Sequence, residues 1–511
     1  MATSAAPQSA SPAGPARLGD RPLAPGTLVA LLGGWLAFDN ILLWRFLGLI
    51  PTGVAVLLTL LVIALAAWTA RRLPTRGEGP TLRLLAIATG IALLLFLLGG
   101  EGRFFYATTD WQVRGAVLRD MALYPWPFVY DVPPAPQMLR APLGMYLAPA
   151  AVGRIGGQYA AELALLVQNS LILALILGLG ATLFATPRAR WTALAVFIGF
   201  SGLDALGQIL AGQPIHMNAE RWSLAVYSAH LTQIFWVPPH CLAGWIGALL
   251  YLLWRDKRLS LAGFLTPLPL LALWSPLALI GLMPFAAHAG IEALRQRSLS
   301  PAGIAAPAAA TLVALPALLY LATGSDTVGG GAATLPLHQY IVFEICEVGI
   351  YLLALWFIGR DARFGGATLA IVALVLLAIP YGQVGQSNDF TMRASIPALA
   401  ILAVAIADQL VKAPLPGKRL WRNLLLLSLA IGAITPAFEI RRAITLPRAP
   451  HIRCSYFGVV PGGYMTYVAP LSRAPALIAP RDPARVRPDD RKPCWDGPWP
   501  GPELFIAPER R

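Results

Sequence analysis

Apolar runs of about 17–25 residues, each long enough to cross a hydrocarbon core about 30 Å thick, recur along this chain and limit its fold more than any other feature. The runs are continuous rather than alternating, which sets them apart from the strands of a membrane β-barrel. Composition agrees: 57% of the 511 residues are hydrophobic and 13% are charged, where soluble domains carry roughly 25% charged residues. The expected class is an all-α, polytopic transmembrane helix bundle.

Spans are expected at 28–46, 52–70, 82–100, 161–184, 191–210, 235–254, 303–322, 340–358, 367–382, 394–411 and 420–437, with a short hairpin over 261–291. That makes about 11–13 crossings, with boundaries good to a few residues. The hairpin arms flank Trp274-Ser275-Pro276, and one kinked helix is the alternative there. Three parts follow. Residues 1–26, rich in Ala, Pro and Ser, read as a disordered N-terminal tail without the charged start and apolar core of a signal peptide. Residues 27–437 form the transmembrane domain, with a long outer loop at 101–160 that carries amphipathic helices. Residues 438–511 form a small, loosely folded C-terminal segment with a short hairpin at Val459–Val468.

Loops fall into two sets. Loops 71–83, 185–190, 255–258, 292–298, 359–363 and 412–422 hold 17 Lys or Arg in 46 positions, whereas 101–160, 211–233, 323–340 and 383–393 hold 7 in 112. Basic loops face the cytoplasm. The N-terminus is therefore expected inside a cell (inner) membrane, and the long loop and C-terminal segment outside it. The same bias explains a net charge of +14 without nucleic acid as a partner. Cys454 and Cys494 lie on the expected outer, oxidising side, where a disulfide between them is one of two readings, free thiols being the other. Cys241 and Cys346, in or near spans, read as packing residues.

The unusual polar residues then gather on the outer face. The stretch Phe104–Tyr146 carries Asp110, Arg114, Arg119, Asp120, Asp131 and Arg140 among Trp111, Trp126 and several tyrosines. A solvated linker would be richer in Ser, Gly, Lys and Glu. The second outer loop brings His216, Glu220 and Arg221, with His240 at the mouth of a span. The third brings His338, with Glu344 and Glu347 just inside the next span, and the fourth brings Asn388, Asp389 and Arg393. Carboxylates in or near a membrane are costly and by default functional. Plainer readings exist for several of them. Asp110 and Arg114 suit a surface ion pair, Asn388-Asp389 a helix cap, and Glu344 with Glu347 a cation or proton site. His216, Glu220 and His240 lack the spacing of a metal site, so a divalent metal has no support. No phosphate-cradling GxxxxGKS, GxGxxG after a strand, GxSxG or CxxC pair occurs.

An acidic residue in a long outer loop, many spans and a basic inner side resemble the GT-C superfamily of membrane glycosyltransferases. The residues that carry the resemblance are Thr109-Asp110-Trp111 and the Arg114–Asp120 segment, with Trp236–His240 and Asn388–Arg393 matching in placement. Three apolar runs precede the loop here, where that superfamily usually has one. The resemblance implies a polyprenyl-phosphate-linked sugar as donor and a glycan, lipid or protein as acceptor, on the extracytoplasmic face. It makes Asp110 and Asp120 the catalytic candidates, with Asp110 as general base. Arg114, Arg119 and Arg393 would hold the lipid phosphate, and Trp111, Arg140, Glu220, Arg221, His240, His338, Glu344, Asn388 and Asp389 complete the substrate-binding set. Two other readings stay open. One is a transporter or flippase using Asp39, Asp204, Glu347 and Asp408; the other is a polysaccharide polymerase or ligase of another membrane fold.

Overall fold

The computed structural model of the protein describes residues 18–359, 363–385, 388–413, 416–464, 466–488 and 493–501. Helix starts follow local chemistry. α1 (Pro25–Phe46) opens on a proline, whose missing N–H would have no partner in a first turn anyway. α2 (Thr52–Arg72) closes on Arg71 and Arg72. α3 (Leu82–Leu98) is capped by Thr81, whose hydroxyl accepts the Leu84 N–H at 3.2 Å. Next come α4 (Asp110–Leu123), α5 (Gly144–Ala181), α6 (Pro187–Gly199), α7 (Asp204–Leu210), α8 (His230–Trp236), α9 (Pro238–Arg255) and α10 (Leu261–Leu265). The chain continues through α11 (Pro276–Arg295), α12 (Pro301–Ala322), α13 (Leu337–Glu344), α14 (Ile350–Ile358), α15 (Gly366–Ala378), α16 (Asp389–Ala394) and α17 (Ile396–Val411). It ends with α18 (Arg419–Gly432), α19 (Ile434–Thr445) and the single turn α20 (Tyr456–Val459).

The structure is about 66% helical, as an all-α bundle requires. Among the described residues, eight helical segments are long and apolar enough to cross a membrane, and four shorter apolar helices accompany them. α2 indicates what surrounds the bundle. Only its Ala55 is buried, while Leu57, Leu60, Leu61 and Ile63 are 57–66% exposed. Such a face suits hydrocarbon rather than water. α9, by contrast, buries every residue from Pro238 to Leu253, and α17 buries nearly all of its own. Helices apolar on all sides belong at the centre. Close contact there depends on small residues: a Cβ on Gly281 of α11 would sit 1.9 Å from the Ala394 carbonyl oxygen.

The basic loops meet at one end. The Arg76 N–H donates to the Arg258 carbonyl at 3.0 Å. Arg255 pairs with Glu292 at 2.6 Å, Arg363 with Asp256 at 2.7 Å, and Lys412 with Asp408 at 2.5 Å. Because Arg255 and Glu292 close α9 and α11 at the same end, the chain between them goes out and returns. Its outward arm is α10 and a 3-10 turn at Pro269–Leu273, and the full-length α11 is the return.

The opposite end carries a small sheet. β1 (Phe128–Tyr130) pairs antiparallel with β2 (Gln137–Leu139), and the C-terminal segment adds a strand on each side. β5 (Val468–Pro470) pairs with β2, and β6 (Ala484–Val486) runs parallel to β1; β3 (Gly330–Ala332) and β4 (Gly382–Val384) form a separate antiparallel pair, brought together across α13, α14 and α15. A Cys454–Cys494 disulfide, with Cα atoms 4.9 Å apart, closes this segment.

Three expectations change in detail. The outer loop expected to end at residue 160 already turns into α5 at Gly144, and Gly157 breaks that helix with φ +81°. A segment of juxtamembrane helix therefore precedes the span proper. Among the described residues, the hairpin expected at Val459–Val468 does not form: Gly462 and Gly463 follow α20, and a strand starts at Val468 with its partner in β2. The expected N-terminal tail is folded from Leu18 onward, where the Leu23 N–H donates to the Pro80 carbonyl at 3.0 Å; residues 1–17 lie outside the described residues.

Candidate functional site

α4 sets the first half of the site. Arg114, one turn after Asp110, donates from Nη2 to Asp110 Oδ2 at 3.0 Å; the arginine side chain is 2% exposed and the aspartate side chain 36%. The carboxylate is fixed on one side and open to solvent on the other. α16 repeats the arrangement, with Arg393 Nη2 on Asp389 Oδ1 at 2.9 Å.

The two pairs converge. Tyr467, delivered by the C-terminal segment, is within electrostatic reach of Arg114, Asp110, Arg393 and Asp389. His240, in the first turn of α9, is in reach of both arginines, and its Nδ1 shares a hydrogen bond with Ser275 Oγ at 2.8 Å. Tyr146 on α5 lies beside Arg114, within its electrostatic reach. The buried Nε atoms of Arg114 and Arg393 have no acceptor among the described residues. Leaving a buried donor unpaired costs roughly 1–3 kcal/mol. Two guanidinium groups with one unmatched N–H each therefore favour an anion with several oxygens, such as a phosphate.

Asp120 does not suit the catalytic role expected of it. Its carboxylate is fully buried. It accepts from Arg119 at 2.9 Å, from the Tyr130 hydroxyl at 2.6 Å and from the Tyr456 N–H at 2.7 Å. Burial raises its pKa to about 6 against the pull of those donors. The group fastens the C-terminal segment to α4, and Arg119 belongs to that fastening rather than to a phosphate site.

The other expected residues scatter. Trp111 is an anchor, its indole N–H donating to the Phe235 carbonyl at 3.1 Å. Arg140 ties the loop to the end of α12 through the Thr323 carbonyl at 2.8 Å. Arg221 and His338 are exposed. Asn388 lines a separate cavity of about 170 Å3 with Thr334, Gln383 and Thr391. Glu344 is buried with neither oxygen partnered among the described residues.

Glu220 joins a different group. It accepts the Ala229 N–H at 2.8 Å, and burial, followed by the nearby Asp204 carboxylate, raises its pKa to about 8. The folded state thus holds a proton that the unfolded chain releases near pH 4.3. Stability falls as pH rises between these values and levels off above the upper one. Glu220→Gln is expected to gain on the parent steadily from about pH 4.5 to about 8, and no further. Thermal unfolding in detergent from pH 4 to 9 reads this directly, and a pH-independent difference would contradict the placement.

Asp204 itself lies against Glu347, carboxyl facing carboxyl. Asp204 Oδ2 also accepts from Ser201 and Thr435, each at 2.8 Å, and the Trp222 indole N–H donates to Glu347 Oε1 at 3.2 Å. Two backbone irregularities make the meeting possible: the break between α6 and α7, and the π-turn Ile345–Gly349 between α13 and α14. π-turns are frequent at functional sites. Among the described residues, no group of three His, Cys, Asp or Glu is placed to hold a metal ion.

Tyr146, Ser275 and Tyr467 were not among the expected site residues. No local pattern marks them, since each arrives through packing or strand pairing; the Arg140 N–H donating to the Tyr467 carbonyl at 2.7 Å sets Tyr467 in place. No family model, curated protein or solved structure matches this chain.

Proposed function

We propose that this protein is an integral membrane glycosyltransferase that moves a sugar from a polyprenyl-phosphate donor to an acceptor hydroxyl. The observation that carries the reading is the convergence of the Asp110–Arg114 and Asp389–Arg393 pairs around Tyr467 with an unmatched buried N–H on each arginine. The basic loops are cytoplasmic in this reading, because Lys/Arg bias sets orientation. The site, the long loop and the disulfide-bearing C-terminal segment then face outward, where a disulfide persists.

The roles follow from chemistry. The acceptor oxygen attacks the anomeric carbon while the bond from that carbon to the phosphate oxygen breaks. Asp110, the more open carboxylate, takes the hydroxyl proton. Arg114 and Arg393 neutralise the departing lipid phosphate, and Tyr464 and Tyr467 offer ring faces to the sugar. Asp120 positions the C-terminal segment that supplies those rings. The test is sugar transfer from a synthetic polyprenyl-phosphate sugar by the reconstituted protein. Transfer that needs no lipid phosphate, or none with any such donor, would contradict the reading.

A second reading, proton-coupled transport, rests on the Asp204–Glu347 contact alone. It requires a proton held by the pair to leave and return during turnover. Asp204→Asn is expected to spare glycosyl transfer within about threefold. If it instead abolishes a pH-gradient-driven uptake into proteoliposomes, the transport reading replaces the first.

A further inference from the structure

A roomy cavity lies far from this site, at the basic end. It has a volume of about 520 Å3, within the roughly 300–1,000 Å3 of pockets that hold organic ligands. It opens between α3, α5 and α6, with α9 and α17 behind it. Ala88, Ile176, Leu249 and Val404 represent its walls, which are apolar nearly throughout.

The charged groups of the lining gather at one end, the mouth: Arg83 in the first turn of α3 and Arg190 in the first turn of α6 stand there beside Asp20 and Thr81. Arg190 keeps one contact, Nε to the Phe184 carbonyl at 3.0 Å, and Arg83 is exposed. The two arginines outweigh the one carboxylate, so the mouth is net positive. Depth is informative too. From Arg83 to Ile91, α3 rises about 12 Å along the wall, close to one leaflet of a hydrocarbon core about 30 Å thick. The cavity is therefore a single-leaflet slot with cationic groups at headgroup height. Basic pockets between helices on the cytoplasmic side bind anionic headgroups.

We propose that this slot binds an anionic glycerophospholipid of the leaflet at the basic end, with an acyl chain between α3 and α6 and the phosphate on Arg83 and Arg190. The proposal is independent of the transfer site, which sits at the other end and contributes none of these residues.

The test uses the full chain, stripped of lipid in mild detergent, and native mass spectrometry with phosphatidylglycerol or phosphatidylcholine of identical acyl chains. One phosphatidylglycerol per chain is expected to bind at least tenfold more tightly than phosphatidylcholine. Arg83→Gln/Arg190→Gln should erase that preference, and Ala88→Trp, which fills the slot, should weaken both lipids. Arg83→Gln alone, at an exposed position, is the variant to read if the double substitution fails to fold; it should cut the preference at least threefold. Equal affinity for the two lipids, or a preference unchanged in the arginine variants, would overturn the proposal. Inorganic phosphate at millimolar concentration should not displace the lipid; displacement would identify a free-anion site instead.

Discussion

Asp110→Asn is expected to lower sugar transfer by about 10²–10⁴-fold, the usual contribution of a positioned general base, while expression and unfolding temperature stay near those of the parent. The substitution preserves the shape of the side chain and an acceptor oxygen for Arg114, so the geometry around the 3.0 Å contact is kept. What is lost is the ability to take a proton. A defect in the rate of transfer with unchanged donor affinity fits this role. Weakened donor binding at an unchanged rate would make Asp110 a ligand of the sugar instead, and full activity would remove it from the chemistry.

The second large effect is structural. Asp120→Ala is expected to destabilise the protein by about 3–5 kcal/mol, the range for breaking one side of a buried ion pair. The change removes the acceptor of the Tyr130 hydroxyl and the Tyr456 N–H and the carboxylate facing Arg119. With the Tyr456 contact gone, the C-terminal segment should become accessible to protease between Ala449 and Val468 before the bundle unfolds. Asp120→Asn keeps an acceptor oxygen and should cost less. Equal stability of the alanine variant and the parent would show that strand pairing and the disulfide suffice to hold the segment.

Much of the architecture was legible because it depends on composition over long windows. Apolar runs, and the separation of arginine-rich from arginine-poor loops, do not require knowing which helix touches which. The ion pair Asp110–Arg114 was legible for a local reason, since residues four apart share a helix face; Asp389 read instead as part of a helix cap, and its pairing with Arg393 emerged from the structure. What sequence did not reveal depends on partners distant in the chain. Asp120 and Asp110 lie on the same short helix, yet the C-terminal segment seals one and leaves the other open. Tyr467 reaches the site only through the register of β5 on β2. Glu344 and Glu347 read as one helix face, but the intervening π-turn carries Glu347 to Asp204 and leaves Glu344 apart. Gly157, unremarkable in the sequence, divides a 38-residue helix into a juxtamembrane part and a span.

The most direct measurement is the affinity of a polyprenyl phosphate for the protein in zwitterionic nanodiscs, made in the Arg83→Gln/Arg190→Gln background to silence the basic-end slot. Arg114→Ala and Arg393→Ala should each weaken binding by about 10–100-fold, as expected for losing charge-assisted hydrogen bonds worth roughly 1.5–3 kcal/mol. Binding that both variants leave unchanged would contradict a lipid-phosphate site between these two arginines.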